Sequence, residues 1–308
     1  MYDIIIVGAG PSGMTAGIYA SIARKKILIL EKSVYGGQIV SADKIKNYPG
    51  FEEIDGYEYA TKLYNQLKNF NPDIKFEEVL KIENFETHKE VITNKNTYKT
   101  KSIIIATGAK NRKLGLANEE KLIGKGVSYC STCDGVFYKD KVVAITGGGN
   151  NAIDDALYLS DIVKKLYLIY RQKDFKIDSI NLDKLKEKEN VEFILNSNIT
   201  NIIGDTKLES IIVEDNDTNI EKEIIVDGLF IAIGHVPVSS ICKNLIETDK
   251  TGYIMAKEDC KTNINGIFAS GDIRIKEVRQ LTTACSDGTI AALNACKYLA
   301  KEKTIVNQ

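Results

Sequence analysis

Short apolar runs that stop at glycine turns, restart after helical stretches and then repeat the whole pattern predict an α/β fold. The expected architecture is two Rossmann-like three-layer domains, the second inserted into the first. Asp3-Ile4-Ile5-Ile6-Val7 runs into Gly8, and Lys141-Val142-Val143-Ala144-Ile145-Thr146 runs into Gly147. Runs that are apolar at nearly every position belong to parallel strands covered on both faces, not to half-exposed strands that alternate. The restart at Lys141 is an internal duplication of architecture.

In chain order, Pro11 to Arg24 predicts a helix rich in small residues, and Lys26 to Leu30 a buried strand ending at Glu31. Gly36-Gly37-Gln38 and Asn47-Tyr48-Pro49-Gly50 are turn signals. Gly56 to Phe70 predicts a helix, Lys75 to Lys99 short antiparallel strands, and Ser102 to Ala106 a buried strand closed by Thr107-Gly108. In the second copy a helix is expected over Asn151 to Val163, which puts Asp154 and Asp155 in its first turn, where acids suit the dipole. A strand follows over Lys165 to Tyr170, and Ile225 to Ile233 reads as the strand that closes the unit. Gly234-His235-Val236-Pro237 reads as a hinge, Gly266 to Asp272 as a buried strand entering a glycine turn, and Thr282 to Ala300 as a long final helix. The economical arrangement is nested. Residues 1–112 and 239–308 form the first domain and 113–238 the inserted one, with the crossings near Asn111 and Val238 side by side.

A chain of 308 residues has room for two domains, and 44% apolar with 27% charged residues suits a globular protein with a sizeable core. A net charge of −1 with dispersed lysines leaves no electrostatic footprint for nucleic acid. No apolar run reaches the ~18 residues of a membrane span. The opening residues have neither a basic segment nor a cleavage site, so a cytoplasmic protein is expected. Cys242, Cys260, Cys285 and Cys296 are scattered and read as reduced thiols. With two histidines, His88 and His235, and a single C-x-x-C, no metal site is expected. His235 reads as structural and His88 as exposed.

Gly8-Ala9-Gly10-Pro11-Ser12-Gly13 fits G-x-G-x-x-G between a strand and a helix. The first glycine permits the tight turn, the second lets a pyrophosphate approach the backbone, and the third lets helix and strand pack closely. The helix N-terminus adds free N–H groups. Glu31, 21 residues after Gly10, can accept hydrogen bonds from a ribose diol. These residues accept either a flavin or a nicotinamide dinucleotide. Thr107-Gly108 and Gly271-Asp272 lean toward flavin, because a carboxylate at a strand end can meet a ribityl hydroxyl.

Gly147-Gly148-Gly149-Asn150-Asn151-Ala152 fits the G-x-G-x-x-A variant. The position 21 residues after Gly149 holds Tyr170 instead of an acid. The bases that follow, Arg171, Lys173 and Lys176, suit a 2′-phosphate and lean toward NADPH over NADH.

Between the two signatures lies Cys130-Ser131-Thr132-Cys133-Asp134. Two cysteines with two residues between them can close a small disulfide, and the acid beside them can move the proton that makes a thiol reactive. A dithiol between two dinucleotide sites predicts electrons entering at one site and leaving as reduced sulfur.

Taken together, these motifs resemble the bacterial-type low-molecular-weight thioredoxin reductases over the full length. The likeness is carried by both glycine signatures, Gly126-Val127-Ser128-Tyr129 before the dithiol, Ile233 to Pro237, Gly271-Asp272 and Arg279-Gln280-Leu281. It implies a homodimer that reduces thioredoxin or a thioredoxin-like protein. FAD would bind among Gly8, Gly10, Pro11, Ser12, Gly13, Glu31, Gly37, Gln38, Asn47, Ala106, Thr107, Gly108, Gly271, Asp272, Arg279, Gln280 and Leu281. NADPH would bind among Gly147, Gly149, Asn150, Asn151, Ala152, Arg171 and Lys176. By the same likeness Cys133 lies nearer the flavin, Cys130 attacks the substrate disulfide, and Asp134 is general acid and base. The chain departs from the family at Asn151, where a serine is usual, and at Tyr170, Arg171, Gln172 and Lys176. Those last four places usually hold His-Arg-Arg and a third arginine. Relatives that have lost pyridine nucleotide binding take electrons from ferredoxin, so ferredoxin is the alternative donor. A non-catalytic flavin redox sensor is a third reading.

Overall fold

β-Branched residues fill the first strand, β1 (Tyr2–Val7), and Pro11, with its fixed φ and no N–H, starts the helix behind it, α1 (Pro11–Ile22). These elements belong to a computed structural model that describes residues 1–42, 44–177 and 179–306. Next come β2 (Ile27–Glu31), α2 (Gly56–Lys68), β3 (Asp73–Phe76), β4 (Val79–Asn84), β5 (Lys89–Thr93), β6 (Thr97–Ile105) and β7 (Ala109–Asn111). They are followed by β8 (Val127–Ser128), the one-turn α3 (Ser131–Asp134), β9 (Val142–Thr146), α4 (Asn150–Ser160), β10 (Lys165–Ile169) and α5 (Ile180–Lys186). β11 (Val191–Ile194), β12 (Ser197–Ile203), β13 (Ser210–Asp215), β14 (Glu221–Ile225), β15 (Gly228–Ile231), β16 (His235–Pro237), β17 (Ile267–Ala269) and α6 (Leu281–Val306) complete the chain. Two compact units result, Met1–Lys110 with Val236–Gln308, and Asn111–His235. The segments that link them, β7 and β16, pair as a two-stranded sheet.

In the first unit the sheet order is β3-β2-β1-β6-β5-β4, and β17 pairs with the second half of β6. Val7 stands opposite Leu30 and Ile105, and Ala269 opposite Ile105, so four parallel strands end at one level. Alternate side chains go to opposite faces. Ile4, Ile6, Ile29 and Ile104 pack under α1 and α6, while Ile5, Val7, Leu28 and Ile103 meet Ile82, Val91, Ile254 and Ile273. Each such residue contributes about 1.5–3 kcal/mol by leaving water.

The second unit repeats the plan in the order β11-β10-β9-β15-β8. One face packs Val143, Ile145, Leu166 and Phe230 on α4 and α5. The other packs Ala144, Ile169 and Leu229 on a three-stranded antiparallel sheet, β12-β13-β14. The duplication extends to atomic detail. A Cβ on Gly8 (φ +106°) would lie 2.4 Å from the Ala106 carbonyl oxygen, and one on Gly147 (φ +147°) 2.4 Å from that of Ala232.

Several expectations are corrected. β3 precedes the antiparallel group and runs parallel to β2. Ile225 to Ile233 is not one strand: β14 ends at Ile225, and the chain turns at Asp227, which exchanges hydrogen bonds with Val142 at 2.7 and 3.0 Å. α4 begins at Asn150, so Asp154 and Asp155 fall in its second turn; Asp154 accepts Asn181 Nδ2 at 2.8 Å. His88 is partly buried, because its ring stacks on Phe85 at 5.1 Å and meets Glu90 at 3.1 Å. The elements α5 and β11 to β13 lie in a stretch without a sequence assignment.

A buried ion cluster ties α6 to the turn after β17. Asp287 accepts Gly271 N–H at 3.0 Å, Arg274 Nε and Nη2 at 2.8 and 2.9 Å, and Lys276 Nζ at 3.0 Å. Burial pushes the Asp287 carboxyl up, but hydrogen bonds from Arg274 and the charge of Lys276 outweigh it and hold the carboxyl below its usual range. Asp287→Ala would leave the buried Lys276 without this carboxylate and Arg274 with only Glu258 and the Ile275 carbonyl, at a cost of about 3–5 kcal/mol on urea unfolding. Because the folded value is depressed, the carboxylate's stabilisation is complete above about pH 4 and lost as pH falls through the folded value. Thermal melts between pH 7 and 3 should show an acid decline in the parent that is smaller in Asp287→Ala.

Candidate active site

The convergent strand ends of the first unit gather the predicted residues of the first signature. Gly8 to Gly13 form the turn from β1 into α1, and Ala106, Thr107 and Gly108 follow β6. Gly10 faces Gly37, where a Cβ on Gly37 would lie 3.2 Å from the Gly10 Cα. Ser12 Oγ lies 2.5 Å from Ser270 Oγ, which brings Gly271-Asp272 to the head of α1. Glu31 uses Oε2 to accept Ala9 N–H at 2.8 Å and Oε1 to accept Ser33 N–H at 3.1 Å. A carboxylate oxygen has a second lone pair, so both can still accept from a ribose. Gln38 Nε2 donates to the Ala109 carbonyl, Thr107 Oγ1 to that of Val238 at 2.7 Å, and Asn47 Nδ2 to Gln280 Oε1 at 3.3 Å. Gln280 and Leu281 stand at the start of α6.

Two atoms in this cluster are buried without a hydrogen-bond partner, Asp272 Oδ1 and Arg279 Nε. Such groups cost about 1–3 kcal/mol each when left unmade. Burial pushes the Asp272 carboxyl up, against the pull of Lys276 and Arg279. An acceptor and a cationic donor beside a glycine cradle and a helix N-terminus fit a flavin dinucleotide, with hydroxyls for Asp272 and phosphates for the free N–H groups.

The second cradle is different. Gly149 caps α4, Asn150, Asn151 and Ala152 form its first turn, and a Cβ on Gly149 would meet nothing within 4 Å. Tyr170, however, lies over Gly148: a Cβ there would fall 2.1 Å from Tyr170 Cε2. The Tyr170 ring stacks on Phe175 at 4.9 Å and 7°, and Phe175 meets Phe193 edge-on at 6.1 Å. Arg171 and Lys176 are exposed. Lys173 is held by Asp217 at 2.6 Å. The pyrophosphate end of this cradle fits a dinucleotide; the ribose end, as it stands, does not.

Cys130 and Cys133 are joined as a disulfide, with Cys130 capping α3. Ser128, on β8 and buried, links the pair to the acid. Its hydroxyl donates to Asp134 Oδ2 at 2.6 Å and accepts Cys130 N–H at 3.0 Å. Behind α3, Ser131 hydrogen-bonds Asp155, whose carboxyl burial pushes up to about 6. Burial also pushes the Cys242 thiol up to about 11 and the Cys260 thiol up to about 12. Among the described residues no group of histidine, cysteine and acid side chains could hold a metal ion, and no helix is long and apolar enough to cross a membrane. The sequence reading gave no role at the site to Ser128, Phe175 or Asp287, and read Asp155 only as an acid suited to the helix dipole. Ser128 alone had a signal, a hydroxyl two residues before Cys130.

The family model described as pyridine nucleotide-disulphide oxidoreductase matches residues 2–288. A thioredoxin reductase of Listeria innocua serovar 6a is 40% identical over 304 residues, 98% of this chain and 95% of that protein. The crystal structure of thioredoxin reductase from Streptococcus pyogenes superposes with a TM-score of 0.93 at 39% identity, covering 98% of this chain and 99% of that one. A ferredoxin-flavin thioredoxin reductase from Clostridium acetobutylicum matches with a TM-score of 0.53 at 30% identity, covering 97% and 98%.

Ser128→Ala removes a hydrogen bond to a charged group, of the kind that contributes about 1.5–3 kcal/mol. The reduced protein should then exchange with a small aromatic disulfide roughly tenfold more slowly. Ser128→Thr, which keeps the hydroxyl, should restore most of the rate in stopped-flow. Equal rates in all three proteins would exclude a role for the hydroxyl.

Proposed function

The chain belongs to the pyridine nucleotide-disulphide oxidoreductase family, and on that premise we propose that it is an FAD-dependent thioredoxin reductase. The single observation that carries the reading is the Cys130–Cys133 disulfide bridged through Ser128 to Asp134, in a chain with two glycine cradles. Bound FAD supplies a two-electron store between the donor and the disulfide. On this reading the cradle of Gly8 to Gly13, with Glu31, holds the adenosine and pyrophosphate end. Asp272 takes a ribityl hydroxyl, and Arg279, Gln280 and Leu281 line the ring.

The chain's own chemistry is thiol–disulfide exchange. Two electrons and two protons convert the Cys130–Cys133 bond to two thiols. Cys130 gives its proton to Asp134 and, as a thiolate, attacks a disulfide sulfur of thioredoxin, forming a mixed disulfide. The other thioredoxin sulfur leaves as a thiol, with its proton from Asp134. Cys133, having given its proton to Asp134, attacks the Cys130 sulfur, which restores the internal disulfide and frees the second thioredoxin sulfur, which takes that proton from Asp134 as a thiol. Ser128 orients the carboxylate for both transfers.

NADPH is the default donor, with its pyrophosphate on Gly147 to Ala152 and its 2′-phosphate near Arg171 and Lys176. Ferredoxin is the second reading. The aromatic ring on Gly148, the single arginine after β10 and the likeness to the Clostridium protein favour it. A homodimer in the cytoplasm completes the proposal, and sedimentation equilibrium checks the oligomer.

Anaerobic titration of the flavin-loaded protein with NADPH, NADH and reduced ferredoxin tests the donor by bleaching of the flavin absorbance. The expected result is stoichiometric bleaching by NADPH or ferredoxin and multiple-turnover reduction of thioredoxin. Cys130→Ser and Cys133→Ser should each lower that turnover at least about 10³-fold while leaving bleaching by the donor intact. Bleaching without thioredoxin turnover in the parent protein would support the non-catalytic sensor instead.

A further inference from the structure

Among the differences between the two copies of the glycine signature, one matched pair of residues is in mutual contact in each copy. In the first copy the residue between the two leading glycines is Ala9, and the residue at the end of the following strand is Glu31, whose carboxylate accepts the Ala9 N–H at 2.8 Å. At the same two places the second copy has Gly148 and Tyr170. The ring lies against Gly148 so closely that even a methyl group there would sit 2.1–2.4 Å from three of its carbons. The ring therefore occupies space that the missing side chain vacates. On its other side it stacks on Phe175, which Phe193 supports edge-on. The place where a carboxylate would meet an adenosine ribose is filled by part of the unit's own aromatic core.

We propose that Tyr170 is a specificity-determining gate on the second cradle: pyridine dinucleotides bind there only when its ring leaves Gly148, so their affinity is set low by the ring. This rests on the reading of the second cradle as the donor site. Gly149 stays open to the pyrophosphate, so the gate acts on the adenosine half alone. Phosphorylated and unphosphorylated nucleotides both meet the ring before they reach Arg171.

Isothermal titration of the flavin-loaded protein with NADP⁺ and with NAD⁺, neither of which reduces it, reads the gate directly. Tyr170→Ser removes the ring, and Gly148→Ala pushes it away with a methyl group while Tyr170 is intact. Both should tighten NADP⁺ binding by about two- to tenfold, the scale of a lost aromatic stack. Tyr170→Phe keeps the ring and should bind as the parent does. Weaker binding in Tyr170→Ser would make the ring a stacking partner for the nucleotide and overturn the gate. Unchanged binding in both Tyr170→Ser and Gly148→Ala would also overturn it. No binding by any variant at millimolar nucleotide would overturn the gate and the donor-site reading together. Reduction of thioredoxin by protein reduced with dithionite bypasses the cradle, so it tests the thiol chemistry separately.

Discussion

At Gly8 and Gly147 the backbone passes so near the carbonyls of Ala106 and Ala232 that no side chain fits. Everything else in the two units follows from that approach. It lets a helix start directly behind the end of a parallel strand, which in turn leaves N–H groups pointing outward at the level where neighbouring strands stop. The residues that close the first cradle, Gly37, Ser270 and Asp272, come from distant parts of the chain to that same level. A side chain at either glycine would force helix and strand apart and dissolve the shared floor on which these groups stand.

The thiol chemistry is built on much less. A helix of one turn carries the disulfide, and a single buried hydroxyl connects Cys130 to Asp134. Reactivity is confined there partly by what happens elsewhere. Burial raises Cys242 and Cys260 far above neutrality, so these thiols stay protonated and make poor nucleophiles. The second carboxyl behind the pair, Asp155, is part of the helix that supports it, so the redox turn rests on a titratable floor.

How legible all this was depended on whether residue type or spatial neighbourhood carried the information. β1, β2, β9 and β10 announce themselves, because strands buried on both faces must be apolar throughout. The stretch from 177 to 224 did not. Its strands β12 to β14 bury one face only, and polar residues at Asn198, Asn201, Glu214 and Glu223 dilute the pattern. Glycines and cysteines were readable because their chemistry admits no substitute at a tight turn or a disulfide. Their partners were not. Asp287 lies 16 residues after Gly271 on α6 and has no motif of its own; only the fold brings it to that N–H. Tyr170 was visible as a bulky residue at a ribose position. That Gly148 makes room for it is a fact of packing, since Gly148 fills the position of G-x-G-x-x-A at which the motif asks for no particular residue.

The ring on Gly148 can also be regarded as a ligand covalently attached to its own receptor. Such an occupant cannot be diluted out, and its hold does not vary with protein concentration. It divides the protein into a competent fraction and a filled one, and the apparent dissociation constant rises by the inverse of the competent fraction. The binding curve keeps its simple hyperbolic form and only slides along the concentration axis. A chain built this way would ignore a sparse nucleotide pool and draw on an abundant one, with no second subunit and no effector needed to set the threshold.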